Sequence, residues 1–275
     1  LVTTLLHFSD LHFGRDADLA QVRALEAYTA AARPTAVVIS GDLTQRSRHG
    51  ELQRALAFRE ALERTAPVFV VPGNHDVEWW RTPLDLFGSA VKHLKYRRYF
   101  GDDLSPSLAL PGMVIASVLT SHGTAVGSLT WKWWRDTAVK GHLPTAEVAK
   151  AKARLATAGR GDLRVLVLHH NVLRGQISRR MGLARWRSAQ EALAGSGADL
   201  ILCGHDHQED VGTLPGGIVV ATAGTHTGRT RGHRPSAFNT IEITATEIAV
   251  THQCWRAETG SFSPGSERRF PRPVR

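Results

Sequence analysis

The chain is poor in cysteine, with two residues, Cys203 and Cys254, in 275. That excludes a disulfide-stapled scaffold and a cysteine-rich zinc site, and it makes a reducing cytoplasm the default compartment. Long apolar runs are also missing. No window stays hydrophobic over the ~20 residues a membrane-crossing helix needs, so no membrane span is expected. The opening residues, LVTTLLHFSD, carry neither a charged leader region nor a small-residue cleavage site, and no signal peptide is read there. Acidic residues are in deficit: 25 Asp and Glu face 34 Lys and Arg, a formal net charge of +9. Such an excess fits an anionic substrate or nucleic acid. No single basic run dominates, however, and most of the charge reads as an Arg-rich solvated surface. The densest basic stretch is RGQISRRMGLARWR, from Arg174 to Arg187.

What the chain does contain is an alternation of short apolar runs with amphipathic stretches. TTLLHFS, TAVVIS and VFVV read as strands, separated by helical patterns over Asp18 to Ala32 and Gly50 to Arg64. GMVIASVL, RVLVLHH, ADLILCG and GIVVATAG follow as further strands, with a helix expected from Thr145 to Ala158 behind Pro144. Continuous apolar runs between helices predict strands covered on both faces. AFNTIEIT and EIAVTHQCW, with no helix between them, predict a hairpin. No internal repeat or low-complexity linker divides the chain. The expectation is one α/β domain over residues 1–258, followed by a poorly ordered Pro-, Ser- and Arg-rich tail over 259–275.

Polar residues gather where strands end. Asp10 and His12 follow the first strand, Gly41 and Asp42 the second, and Asn74 and His75 the third. His169 and His170 end RVLVLHH, and Gly204, His205 and His207 follow ADLILC. Ligands of open α/β sheets bind outside the carboxyl ends of strands, so these five loops are placed to converge. Two carboxylates, an amide and three or four imidazoles are donors suited to Mn, Fe, Zn or Co rather than Ca or Cu(I). They are too many for one tetrahedral ion and suit two ions sharing a carboxylate, about 3.5–4 Å apart, a clamp for phosphoryl displacement. An Asn ligand adds a donor without adding negative charge.

In their order, DLH, GDLT, GNHD, HH and GHDH resemble the calcineurin-like metallophosphoesterase superfamily. The wording FSDLHFG and GNHD is similar to its class III cyclic-nucleotide phosphodiesterase and glycerophosphodiesterase branch. The resemblance implies a four-layer αββα sandwich and two metal ions, divalent or mixed-valence Mn, Fe or Zn. It implies Asp10, His12, Asp42 and His207 on the first ion, and Asp42, Asn74, His169 and His205 on the second, with Asp42 bridging. His75 would face the substrate phosphate as the catalytic imidazole. The chain departs from the branch after the double histidine, where prolines are usual and HHNVLRG has Asn171 and Val172. A changed loop is expected there.

Other residues near these loops are candidates for substrate contact: His170, Arg174, Trp79 and His226. Arg179 and Arg180 share the Arg174 loop, and Trp80, Trp131, Trp133 and Trp134 complete a tryptophan group that could stack on a base or fill a core. His7, His49, His93, His122, His142 and His252 read as structural or surface residues, and Cys203 as core. The expected activity is hydrolysis of a small phosphodiester by metal-activated hydroxide. A metal-dependent nuclease, a phosphomonoesterase and a non-catalytic binding scaffold are the alternatives. A nucleic-acid partner is not favoured, since no separate basic, aromatic-laced region is present. The sequence is compatible with a homo-oligomer.

Overall fold

Twelve strands build two six-stranded sheets in a computed structural model that describes residues 2–15, 17–78, 90–125, 128, 139–228 and 230–273. The first sheet holds β1 (Thr3–Phe8), β2 (Ala36–Ile39), β3 (Val68–Val70), β10 (Ala237–Ile243), β11 (Glu247–Arg256) and β12 (Ser261–Pro271), in the order β12-β11-β10-β1-β2-β3. The second holds β4 (Ser107–Leu110), β5 (Met113–Ser117), β6 (Leu163–Val167), β7 (Leu200–Cys203), β8 (Asp210–Leu214) and β9 (Ile218–Thr222), in the order β4-β5-β6-β7-β9-β8. The neighbours β1, β2 and β3 run parallel, as do β5, β6, β7 and β9, while β10, β11 and β12 in the first sheet and β4 and β8 in the second join antiparallel.

Side-chain alternation divides the core into three layers. Leu5, Val38 and Phe69 of the first sheet meet Ile115, Val165 and Leu202 of the second between the sheets. The opposite faces of these strands are covered as well, as their unbroken apolar runs require. Leu6, Phe8, Val37 and Ile39 pack under α1 (Leu19–Ala32) and α2 (His49–Glu63) through Val22, Leu25, Phe58 and Leu62. Leu166, Ile201 and Val220 pack under α4 (Thr145–Leu155) and α5 (Trp186–Ala194) through Ala151, Leu155, Ala189 and Leu193. Helix, sheet, sheet and helix make the expected αββα sandwich. A short α3 (Leu94–Phe100) lies against α2.

Local chemistry sets the helix ends. Asp18 caps α1 by accepting from the amides of Ala20 at 2.9 Å and Gln21 at 3.3 Å. The Glu51 carboxylate accepts from the amides of Arg46 and Arg48 at the start of α2. Pro144 stands immediately before α4, where its missing N–H leaves no gap.

The tail corrects the sequence reading. Residues 261–271, expected to be poorly ordered, form β12, paired antiparallel with β11. A one-residue bulge shifts the register between Thr251 and Gln253, so Phe262 and Phe270 enter opposite layers. Eight residues apart, they would share a face in a regular strand. The bulge, together with Pro264 and Pro271, hides the strand from any period-two pattern. The position is an edge, where proline and charge are tolerated. Among the described residues, no helix is long and apolar enough to cross a membrane.

Candidate metal centre

The loops after β1, β2, β3, β6 and β7 meet at one end of the sandwich, and their backbones are strained there. Asp10, His12, Asp42, His205 and His207 all have positive φ, between 45° and 73°. Non-glycine residues rarely adopt this region, which costs on the order of 1–3 kcal/mol each and persists where surrounding structure over-determines it. The surroundings here do so. The Asp10 amide donates to the Gly41 carbonyl at 3.0 Å, and the His12 amide to the Asp42 carbonyl at 2.9 Å. The His205 amide donates to Asp10 Oδ2 at 2.8 Å, and Thr225 Oγ1 donates to the Asp10 carbonyl at 2.7 Å. Glycine allows the loops to close: a Cβ on Gly204 would lie 1.8 Å from Ser9 Oγ and 2.5 Å from Asp10 Oδ2.

Two groups of donor atoms result. Asp10, His12, Asp42 and His207 form one, and Asp42, His169 and His205 the other. In the first, His12 Nε2 lies 3.0 Å from His207 Nε2, and Asp10 Oδ1 lies 3.2 Å from His207 Nε2. In the second, Asn74 Oδ1 lies 3.0 Å from His169 Nε2 and 2.9 Å from His205 Nδ1. Asp42 faces both: Oδ1 is 3.3 Å from His169 Nε2, and Oδ2 is 3.7 Å from His12 Nε2. Neighbouring donors around an ion at ~2.0–2.2 Å stand roughly 3.0–3.5 Å apart in octahedral or tetrahedral arrangements, so the spacing fits ligation. Asp10 Oδ1 is buried with no hydrogen-bond partner. His169 Nδ1 is 2.8 Å from the Ser40 carbonyl, to which it donates, leaving the Nε2 lone pair for the centre.

The electrostatics point the same way. Asp10 and Asp42 are fully buried carboxylates. Burial alone would raise their pKa values, yet His12 and His207 hold Asp10 well below its usual range, and His169 and His75 do the same for Asp42. Burial opposes a proton on His169, but the Asp42 charge overrides it and raises the imidazole to about 9. A buried carboxylate pair needs compensating positive charge. The proton on His169 stands where a cation would supply it.

The GNHD loop divides its three polar side chains among three tasks. Asn74 Oδ1 enters the second donor group. His75 enters neither. Its amide donates to Asp42 Oδ1 at 2.8 Å, and its Nδ1 donates to the Gln45 carbonyl at 2.8 Å, leaving Nε2 for an incoming group. The ring stands edge-on to His12, with centroids 4.8 Å apart. Asp76 is buried and accepts from the amides of Gly73, Leu43 and Thr44 and from Thr44 Oγ1. It locks the GDLT and GNHD loops together. The supporting carbonyls of Ser40 and Gln45 and the hydroxyl of Thr225 had no sequence signal, because backbone groups and a lone threonine leave none.

Not every expected contact is there. His170 is buried, with Nδ1 2.8 Å from Thr120 Oγ1 and Nε2 3.1 Å from the Val139 carbonyl. Both nitrogens are engaged, so the expectation of substrate contact is corrected: its ring packs 4.5 Å from that of His205 and props it. His226 is fully buried beside Phe8, Phe238 and Phe262. Burial lowers its pKa to about 4, and it is a core residue rather than a substrate contact. Arg174 is exposed on the rim of a cavity of about 320 Å³ that also reaches His205. Trp79, Trp80, Trp131, Trp133 and Trp134 lie outside the described residues.

The sequence matches the calcineurin-like phosphoesterase family over residues 3–209. The chain belongs to that family of metallophosphoesterases. No curated protein matches it in sequence. Among solved structures, a dimetal phosphatase from Danio rerio is similar with a TM-score of 0.66 and 14% identity, covering 98% of this chain and 99% of that one. A purple acid phosphatase from yellow lupin (Lupinus luteus) seeds gives 0.65 and 12%, over 98% of this chain and 53% of that one, so the chain spans about half its length. GAP50, described as the anchor in the inner membrane complex of Plasmodium, gives 0.63 and 12%, over 98% and 89%. At such identities the likeness is one of fold. Phosphatases and an anchor share it, so activity is argued from the site.

Proposed function

We propose that the chain hydrolyses phosphodiesters, of the cyclic-nucleotide or glycerophosphodiester type, at a two-metal centre. The observation that carries the hydrolase reading is Asp42 facing two donor groups at once, with His75 beside them and outside both. Asp10, His12, Asp42 and His207 would hold one ion, and Asp42, Asn74, His169 and His205 the other. When bound, such ions bring the pKa of a water down to about 7 and polarise phosphoryl oxygens. His75, oriented by Gln45, donates from Nε2 as an imidazolium to the leaving oxygen or to charge on the phosphoryl group, worth typically ~10²–10⁴-fold. The neutral Asn74 keeps the centre positive toward a phosphate. The diester preference rests on the resemblance of FSDLHFG and GNHD to the diesterase branch.

Reconstitution with Mn²⁺ followed by elemental analysis is expected to approach two equivalents per chain, with turnover of bis(p-nitrophenyl) phosphate. A ceiling at one equivalent refutes the dinuclear reading. Faster turnover of p-nitrophenyl phosphate than of the diester refutes the diester preference and favours a monoesterase. The exposed arginines near His205 favour a nuclease as the second reading, tested by cleavage of single-stranded DNA.

A further inference from the structure

We infer that the cavity beside His205 is a second anion subsite, and that the substrate is a phosphate ester carrying a further phosphate or comparable anion on its alcohol part. The inference rests on the phosphoesterase reading of the metal centre, which supplies the place for the scissile phosphate.

The charge lining this cavity is lopsided. Five cationic side chains, Lys140, Arg174, Arg179, Arg180 and Arg231, face one carboxylate, Asp206. Asp206 is already engaged: Ser178 Oγ donates to its Oδ2 at 2.9 Å, and Arg231 lies 3.5 Å from Oδ1. Lys140 donates to the Met181 carbonyl. Arg174, Arg179 and Arg180 are exposed, and none makes a side-chain hydrogen bond or ion pair among the described residues. Three unpaired guanidiniums at one cavity leave a field that a single carboxylate does not cancel, and their planar forks suit a phosphate.

The loop that carries them is built rather than slack. Gly175 N–H donates to the Arg180 carbonyl at 3.0 Å, and Arg179 N–H to the Gly175 carbonyl at 2.9 Å. Arg179 is held at φ 55°. The buried Asn171 side chain donates to the carbonyls of Leu173 at 2.8 Å and Arg180 at 3.2 Å, closing the loop from inside. Two residues of the GHDH loop fix it from the other side, Asp206 through Ser178 and Gln208 Oε1 through the Ile177 amide at 3.1 Å. A Cβ on Gly175 would lie 1.8 Å from Asp206 Oδ2, so no other residue fits this junction unmoved. His205 and His207 flank Asp206. The arginine loop is thereby pinned to the segment that supplies two donors of the metal centre. Asn171, where the sequence departs from the double-histidine–proline pattern, is the residue that closes it.

The test is binding to the Mn²⁺-loaded protein by titration calorimetry, comparing adenosine 3′,5′-bisphosphate with adenosine 5′-monophosphate. The bisphosphate is expected to bind at least about tenfold tighter, and the ratio to fall toward one in the Arg174→Ala, Arg179→Ala, Arg180→Ala triple variant. Raising the salt from 0.05 to 0.5 M should shrink the wild-type ratio, which checks the charge origin without any substitution. Equal affinities, or a preference that survives in the triple variant, overturn the inference. Single-stranded DNA binding with a steep salt dependence and no bisphosphate preference also overturns it, in favour of a nucleic-acid surface. Absence of bis(p-nitrophenyl) phosphate turnover in the wild type counts against the hydrolase reading alone, since the affinity ratio does not depend on catalysis.

Discussion

Gly73→Ala isolates the contact between the GNHD and GDLT loops. At Gly73 the backbone is extended, with φ −95° and ψ −177°, so alanine takes its conformation without strain. Only space opposes it. The added Cβ would lie 2.1 Å from both the amide nitrogen and Oδ1 of Asp42, where real contacts essentially never fall under 3.0 Å. One loop must therefore retreat by about 0.9 Å, and the neighbours are backbone and a buried carboxylate rather than a flexible side-chain tip. Asp42 Oδ1 is the oxygen that faces His169 and accepts the His75 amide. Forced overpacking of this kind costs typically ~1–3 kcal/mol. At about 2–4 °C per kcal/mol for a domain of 150–250 residues, melting should fall by several degrees. A misplacement near 1 Å at a reacting centre costs roughly 10²-fold in rate. The expected result is a folded protein with kcat/KM on bis(p-nitrophenyl) phosphate about a hundredfold lower and bound metal reduced. Gly50→Ala is the control. It lies in α2 with nothing within 4 Å of the added carbon, and should gain ~0.4–1 kcal/mol with activity unchanged. Wild-type turnover and metal content in Gly73→Ala would refute the claimed contact between the loops.

Asp42→Ala should abolish turnover and hold no more than one metal equivalent, read by elemental analysis, because the shared carboxylate is gone; near-wild-type kcat would show that Asp42 bridges nothing. His75→Ala should keep its metals and lose rate by ~10²–10⁴-fold on esters with poor leaving groups and less on p-nitrophenyl esters, in a leaving-group series of kcat/KM. A loss uniform across the series would assign His75 to charge stabilisation instead. Stability should fall with acid below pH 6.5, because burial lowers His252 and His93 to about 4. Between those values the unfolded chain binds more protons, so stability rises with pH through the window and is complete above 6.5, each group contributing on the order of 3 kcal/mol. In His252→Gln, urea midpoints followed from pH 6.5 to 4 should show a shallower dependence by about one proton; an unchanged slope would show that His252 titrates freely.

The sandwich was legible because strands such as β2 (AVVI), β3 (VFV) and β7 (LILC) carry no polar residues. Val37, Val38 and Ile39 are buried on both faces, and unbroken apolar runs between helical patterns can mean little else. The five loops were legible because strands end abruptly in donor residues. What escaped is peripheral. β4, with the sequence SLAL, alternates between exposed and half-buried positions, and β8 contains Gly212. β12 breaks its own alternation with a bulge. The roles of His170 and His226 escaped for a different reason. A histidine beside a ligand loop looks the same in sequence whether its ring meets substrate, a threonine hydroxyl or three phenylalanines. Only the packing of Thr120, Val139 and Phe238 around them decides it.

Asn74, His75 and Asp76 follow one another in sequence, and the fold gives each a separate neighbour. A 3-10 turn over Asn74–Asp76 advances roughly 120° per residue, so consecutive side chains leave in three directions. Asn74 turns toward His169 and His205, His75 toward the carbonyl of Gln45, and Asp76 back into the amides of Gly73, Leu43 and Thr44. Because Asp76 spends its carboxylate on backbone amides, it is not a third anion in the centre. Burial and the Asp42 charge raise its pKa, and the hydrogen bonds from Gly73 and Thr44 oppose that rise. The arrangement of the two donor groups therefore depends on a residue that belongs to neither. Replacing Asp76 by Asn would keep the shape, yet one amide N–H would then face a backbone N–H, and the GDLT and GNHD loops would lose their common anchor.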